Sequence, residues 1–157
     1  MSYLNLDENK TKATVEQLNI LLADYQLYYQ KLRNFHWNVE GINFFDLHEK
    51  FEEMYEDAKI KIDEIAERIL TLRNKPSSNL SEYLKISNIS ESSNNLDDRN
   101  MINTLLEDHG KIILQLRSVL KAADNAEDEG TIDFIGTYIA ELEKTSWMLE
   151  VWTKRLK

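Results

Sequence analysis

Five side chains in one stretch of the chain have the types and spacing of metal ligands: His36, His48, Glu52, Asp63 and Glu67. His36 and His48 are two of only three histidines in the sequence. Imidazole nitrogen combined with carboxylate oxygen suits iron, manganese or zinc better than magnesium or calcium. Around them stand Asn34-Phe35-His36-Trp37-Asn38-Val39-Glu40-Gly41, then Phe44, Leu47 and Phe51, and finally Ala66 and Arg68.

Helical geometry decides whether the five can converge. At about 100° per residue, with His48 at zero, Glu52 falls near 40°, Asp63 near 60° and Glu67 near 100°. The apolar positions of the same segment centre near 285°, so the polar stripe does not point into the chain's own core. Glu52 and Asp63 are separated by about 16 Å along the axis. Metal ligands lie about 2 Å from the ion, so one ion cannot be held from both ends of this helix. Each end holds half a site, and a two-fold partner packed antiparallel would complete both halves. His36, just before a short turn, can join the His48 half. On geometry alone two readings stand: an intersubunit metal site, or an ordinary solvated acidic face with a histidine at the core border.

The elements that must carry these residues follow from period and punctuation. A first helix is expected from Thr14 to Trp37, with Val15, Leu18, Leu22, Tyr25, Tyr29 and Leu32 at steps of three and four. Gly41 and Asn43 mark a turn. A second helix runs from Phe44 to Arg73 and is stopped by Asn74 and Pro76. Residues 74–95 form a Ser- and Asn-rich connection, long for a compact bundle. Leu80, Tyr83, Leu84 and Ile86 predict a short helix inside it, with Ser81 as its cap. A third helix spans Leu96 to Ala123. A fourth, capped by Thr131, ends near Lys154, where Lys154, Arg155 and Lys157 suit its negative end. Short turns make two antiparallel pairs, and the long crossover sets the second and third helices parallel. The expectation is an all-α, ferritin-like four-helix bundle in one domain, residues 1–157, with residues 1–13 as a short extension.

Composition narrows the function classes. A chain of 157 residues, 42% hydrophobic with one Pro and four Gly, is sized for a single helical domain with a real core. No run approaches the ~18 apolar residues of a membrane span, and the N-terminus lacks the pattern of a signal peptide. Cys is absent, which removes thiolate ligands and thiol nucleophiles and fits a cytoplasmic protein. The net charge of −9 argues against general nucleic-acid binding, which draws its affinity from Lys and Arg on phosphates. It is compatible both with attracting cations and with simple solubility. Inward-facing Glu-x-x-His pairs are missing, and Glu107 and His109 are wrongly spaced to form one. Gly-rich phosphate loops and a nucleophile elbow are missing too.

The stretch closely resembles the Dps family, the DNA-binding proteins from starved cells or mini-ferritins. The resemblance rests on His36-Trp37-Asn38, Gly41, Phe44, Leu47-His48, Glu52 and Asp63-Glu64-Ile65-Ala66-Glu67-Arg68 at matching intervals, on the long crossover, and on Lys144-Thr145-Ser146-Trp147-Met148-Leu149 near the end. It implies a ferroxidase centre shared across a two-fold interface. His36, His48 and Glu52 would come from one subunit and Asp63 and Glu67 from its neighbour. It also implies a hollow twelve-subunit shell that oxidises Fe(II), preferably with hydrogen peroxide rather than O2, and stores ferric mineral. Glu52 stands where many members have Asp. Trp37 matches the family's indole near the centre, with an interface anchor as an equally good role. The acidic cluster before the last helix resembles a three-fold pore, with Asp124, Asp128 and Asp133 as lining residues and Glu127 and Glu129 beside them. An alternative is acid placed at a helix N-terminus for its dipole. DNA-binding members often carry long basic tails, whereas Lys10 and Lys12 here are balanced by Asp7 and Glu8. The rival class is a non-enzymatic helical interaction or nucleoid-compacting protein.

Overall fold

The computed structural model describes residues 3–154, all of whose regular elements are helices: α1 (Glu8–Asn38), α2 (Phe44–Thr71), α3 (Leu80–Ile86), α4 (Asp98–Asn125) and α5 (Glu129–Lys154). Arg155 and Lys157, expected at the end of the last helix, lie outside the described residues. Among the described residues no helix is long and apolar enough to cross a membrane.

Helix α1 starts six residues before the expected Thr14. Asp7 caps it by accepting from the Asn9 amide at 2.8 Å, and Glu8 complements the positive end. Thr11 is buried, so residues 8–13 of the expected N-terminal extension are instead helix packed on the bundle. Two helices end on non-glycine residues in the left-handed region, Arg73 (φ 63°) and Glu127 (φ 55°). After α2, the Asn74 amide reaches back to the Ile69 carbonyl and the Arg73 amide to Leu70. After α4, Asp128 reaches Ala123 and Glu127 reaches Asp124. Both are Schellman closures, which satisfy the last carbonyls of a helix. They stop α2 at Thr71, short of Arg73, and carry α4 on to Asn125. The cap of α3 is Asn79, with Ser81 inside the helix.

Asp128 has two jobs. It closes α4 and at once caps α5: Thr131 donates its backbone N–H to Oδ1 at 3.1 Å and its hydroxyl to Oδ2 at 2.5 Å. The expected cap, Thr131, therefore sits in the first turn. Arg68 of α2 adds a guanidinium contact to Asp128 Oδ1 at 2.6 Å and donates to Thr131 Oγ1 at 2.9 Å. This clamp ties the end of α2 to the start of α5. A Cβ at Gly130 would meet the Arg68 guanidinium at 2.9 Å, so a larger residue there would require the guanidinium to shift.

Helix α1 is the spine and packs against α2, α3 and α4, while α5 packs on α4. Short turns make α1/α2 and α4/α5 antiparallel, and residues 72–97 cross over between the pairs. The core is continuous through Leu18, Leu22, Phe35, Phe51, Ile65 and Leu105, all essentially unexposed. Buried lysines interrupt it in ion pairs. Lys31 and Asp108 meet at 2.5 Å, and Lys61 binds Asp57 and Glu141 at 2.6 and 2.9 Å. The crossover is pinned to α1. Asn19 Oδ1 accepts the Ser77 amide, buried Asp24 accepts from the Asn88 amide and the Ser87 hydroxyl, and Asn34 donates to the Ser92 carbonyl.

Candidate metal centre

The turn between α1 and α2 brings His36 and His48 face to face. Their rings stack with centroids 3.7 Å apart and planes 19° from parallel. Each Nδ1 lies 2.7 Å from the backbone carbonyl oxygen of the other histidine. A carbonyl only accepts, so each Nδ1 must carry the proton. In the neutral rings both Nε2 atoms are then left as lone-pair donors, the state a metal ligand requires. Phe44 stacks on His48 at 4.9 Å, and Tyr55 presents its edge to His36 at 5.3 Å. His36 is buried and His48 half-buried, so the pair is held by packing as well as by hydrogen bonds.

Glu52, one turn beyond His48, is exposed and accepts a hydrogen bond from the Tyr55 hydroxyl at 3.3 Å. Tyr55 is an addition to the expected site residues. Its position three residues after Glu52, beside the same stripe, is the signal for it in the sequence.

At the far end of α2, Asp63 and Glu67 are exposed, and neither carboxylate has a hydrogen-bond or ion-pair partner among the described residues. Their neighbours turn the other way: Glu64 accepts from the Tyr138 hydroxyl and Arg68 clamps Asp128. Asp63 and Glu67 thus stay free on the outer face. The structure brings His36, His48 and Glu52 to one end of α2 and leaves Asp63 and Glu67 at the other. Among the described residues no three His, Asp or Glu side chains within the chain form a metal-holding group. The donor types fit iron at each end, and each end by itself is incomplete.

The stripe also carries exposed apolar residues. Phe45, Ile60 and Leu70 lie on it, 82%, 58% and 54% exposed. Trp37 is exposed nearby, with the Arg33 guanidinium over its ring at 4.7 Å. Apolar groups and unpaired carboxylates thus share one exposed face of α2.

The acidic cluster divides. Asp124 and Asp133 are exposed, but Asp128 is 2% exposed. Its carboxylate is committed to Arg68 and Thr131, so it is not free to face a pore. Glu129, one turn before Asp133 on α5, is exposed. Composition marks the cluster as acidic but cannot separate a cap from a lining residue.

The buried polar groups of the bundle are engaged with one another: Lys31 pairs with Asp108, Tyr28 with His109, and buried Lys61 reaches out to the exposed carboxylates of Asp57 and Glu141.

The sequence model of the ferritin-like domain matches residues 15–157. The chain is 41% identical over 141 residues to DNA protection during starvation protein 2 of Bacillus anthracis, covering 90% of this chain and 97% of that one. It is 39% identical over 150 residues to the DNA protection during starvation protein of Porphyromonas gingivalis, covering 96% and 94%. Among solved structures, the DPS protein of Vibrio cholerae O1, described as a member of a superfamily of ferritin-like diiron-carboxylate proteins, superposes with a TM-score of 0.93 at 41% identity, covering 97% of this chain and 96% of that one.

Proposed function

The chain belongs to the ferritin-like family and, within it, to the Dps proteins, and from that premise we propose that it is an iron-storage and detoxification protein of the cytoplasm. Its reaction is the oxidation of Fe(II), with hydrogen peroxide as the preferred oxidant, at sites shared between two subunits. Two Fe(II) supply two electrons to one peroxide, and with two protons the products are two Fe(III) and two waters. The ferric product is kept inside a closed dodecamer.

The observation that carries this reading is the separation of the ligand groups on one face of α2. A single antiparallel register across a two-fold axis supports it further. The register that sets His48 opposite Glu67 of the partner subunit also sets Glu52 opposite Asp63 of the partner subunit. It places Lys59 opposite Glu56 of the partner subunit, a pair of opposite charge. Two identical sites per dimer follow from the symmetry.

Each residue then has a task. His36 and His48 offer Nε2 lone pairs already oriented by the crossed carbonyl bonds. Glu52, Asp63 and Glu67 supply negative charge, which favours the trivalent product over Fe(II). Asp124, Glu129 and Asp133 concentrate cations at the route inward.

Subunit mixing tests the shared site. One variant carries His36→Ala and His48→Ala, the other Asp63→Ala and Glu67→Ala. Each alone should form defective sites. After unfolding, mixing and reassembly, about half the dimers are mixed and each holds one intact site, so roughly a quarter of all sites should recover. Verified co-assembly that restores no Fe(II) oxidation above the two parents rules the shared site out.

A further inference from the structure

His109 is the one histidine that the iron chemistry does not use, and its hydrogen bonds define a direction. The Ser146 hydroxyl donates to the Leu142 carbonyl at 2.6 Å. Having spent its proton there, Ser146 Oγ can only accept from His109 Nδ1, 2.7 Å away. His109 Nε2 is then a bare lone pair, and the Tyr28 hydroxyl, 2.7 Å from it, is the donor. The chain of bonds runs Tyr28 to His109 to Ser146 to Leu142, with every proton assigned by an acceptor-only carbonyl at its end.

This pair is buried, with His109 1% and Tyr28 4% exposed. Tyr25, its ring 6.1 Å from that of Tyr28, is equally buried, but its hydroxyl has no partner. The contrast matters chemically. Removing one electron from a phenol makes its O–H strongly acidic, and oxidation is easiest where a base can take the proton at once. Tyr25 has no base at hydrogen-bond distance. Tyr28 has one, at hydrogen-bond distance and in the right tautomer.

We propose that Tyr28 and His109 form a proton-coupled redox site, which absorbs one-electron oxidising equivalents that escape the iron sites. The inference rests on the iron-and-peroxide reading above for the source of those equivalents. A single Fe(II) reducing hydrogen peroxide yields Fe(III), hydroxide and a hydroxyl radical, which is the one-electron oxidant. Tyr28 gives it one electron, forming hydroxide, and passes its phenolic proton to His109 Nε2. The products are a neutral phenoxyl radical and an imidazolium bonded on both nitrogens. A second Fe(II) returns the electron, becoming Fe(III), and the proton returns from Nε2 to oxygen. The net result consumes the radical and oxidises iron.

Burial supports the resting state. It pushes the Tyr28 hydroxyl up and His109 down to about 4, so that the proton rests on oxygen and the imidazole is neutral. Aromatic rings also link the region to the metal face. His36 meets Tyr55 at 5.3 Å, Tyr55 meets Tyr29 at 6.0 Å, and Tyr29 is the chain neighbour of Tyr28. Tyr28 itself lies roughly 12 Å along α1 from His36.

Among the described residues only Tyr28 hydrogen-bonds a histidine through its hydroxyl; Tyr55, Tyr83 and Tyr138 bond Glu52, the Ser77 carbonyl and Glu64. An unsubstituted protein therefore carries its own diagnostic. The assembled protein, labelled with 15N-histidine, is mixed with Fe(II) and hydrogen peroxide and freeze-quenched, and Fe(II) oxidation is followed in the same sample. Electron–nuclear double resonance should show a tyrosyl radical coupled to a proton shared with labelled imidazole. Tyr28→Phe should lose that signal. His109→Gln, which keeps an acceptor for Tyr28 and a donor for Ser146 but takes no proton, should lower the yield and abolish the solvent isotope effect on radical formation. In samples that do oxidise Fe(II), a radical that is absent, lacks the imidazole coupling or persists in assembled Tyr28→Phe overturns the proposal. A parallel arm omits iron and uses an added ruthenium photo-oxidant. Absence of Fe(II) oxidation in the first arm counts against the iron reading alone. The photo-oxidation arm then decides Tyr28 by itself: a histidine-coupled radical supports the site, and none overturns it.

Discussion

At His36 and His48 each imidazole is tethered to the other's backbone, so the same two bonds that close the turn also orient the donor atoms. His109 is tethered just as firmly but inside the core, and there the consequence is a pH dependence of stability. Burial lowers it from 6.5 to about 4. Between those values the unfolded chain binds a proton that the folded chain refuses. Stability is therefore full above pH 6.5 and declines as the pH falls towards 4, by about 3 kcal/mol in all for this one group. Asp24 and Asp108 are pushed up by burial and act in the opposite sense, so the effect must be read as a difference. Urea denaturation of wild type and His109→Gln at matched subunit concentration, from about pH 7 down to about pH 4, should show the variant gaining on wild type as the pH drops. Parallel curves would mean that His109 is protonated in the fold. None of this is legible in the sequence. Tyr28 and Ser146 lie 81 and 37 residues from His109, and no local pattern reaches that far.

The elements are easier to read, and the exceptions are instructive. Helix α2 carries a strong period, so the alignment of its candidate ligands on one stripe is legible from residue spacing alone. Helix α1 begins with Glu8-Asn9-Lys10, polar residues that hide the period, although Asp7 ahead of them has the type of a cap. The Schellman ends at Arg73 and Glu127 lack the glycine that normally announces such a closure. In the sequence Asp128 is one acid among several, because its partner, Arg68, comes from another helix. The clamp and the neighbouring carboxylates should therefore respond differently to substitution. Arg68→Ala strands a buried carboxylate and should cost about 3 kcal/mol or more, read as a loss in denaturation midpoint. Glu129→Gln with Asp133→Asn should leave the midpoint nearly unchanged and slow iron uptake at low Fe(II). Slowed uptake without loss of stability in Arg68→Ala would contradict this division.

For the whole molecule, the exposed apolar residues of α2 are where the proposed assembly is most open to test. Ile60 lies midway between the two ligand groups, where an antiparallel partner would cross. Ile60→Glu should shift native mass spectra from the closed shell towards monomer while circular dichroism stays helical; an intact shell would place the interface elsewhere. The crossover also runs the length of the bundle, and its Ser- and Asn-rich composition suggests a floppy strap. The contacts with Asn19, Asp24 and Asn34 make it a row of rivets along α1 instead. Deuterium should therefore label it in an alternating pattern. The amides of Ser77 and Asn88, held by α1 side chains, should resist exchange as the core does, while Glu91 and Asn94, a few residues away and exposed, should exchange at once. Asp24→Ala should release the amide of Asn88 yet leave that of Ser77 protected, and uniform loss along the strap would show that it opens as one piece. Such a segment behaves as part of the frame: a protease that searches for loose chain would find ends to cut between the rivets, but little slack with which to draw the strap into its active site.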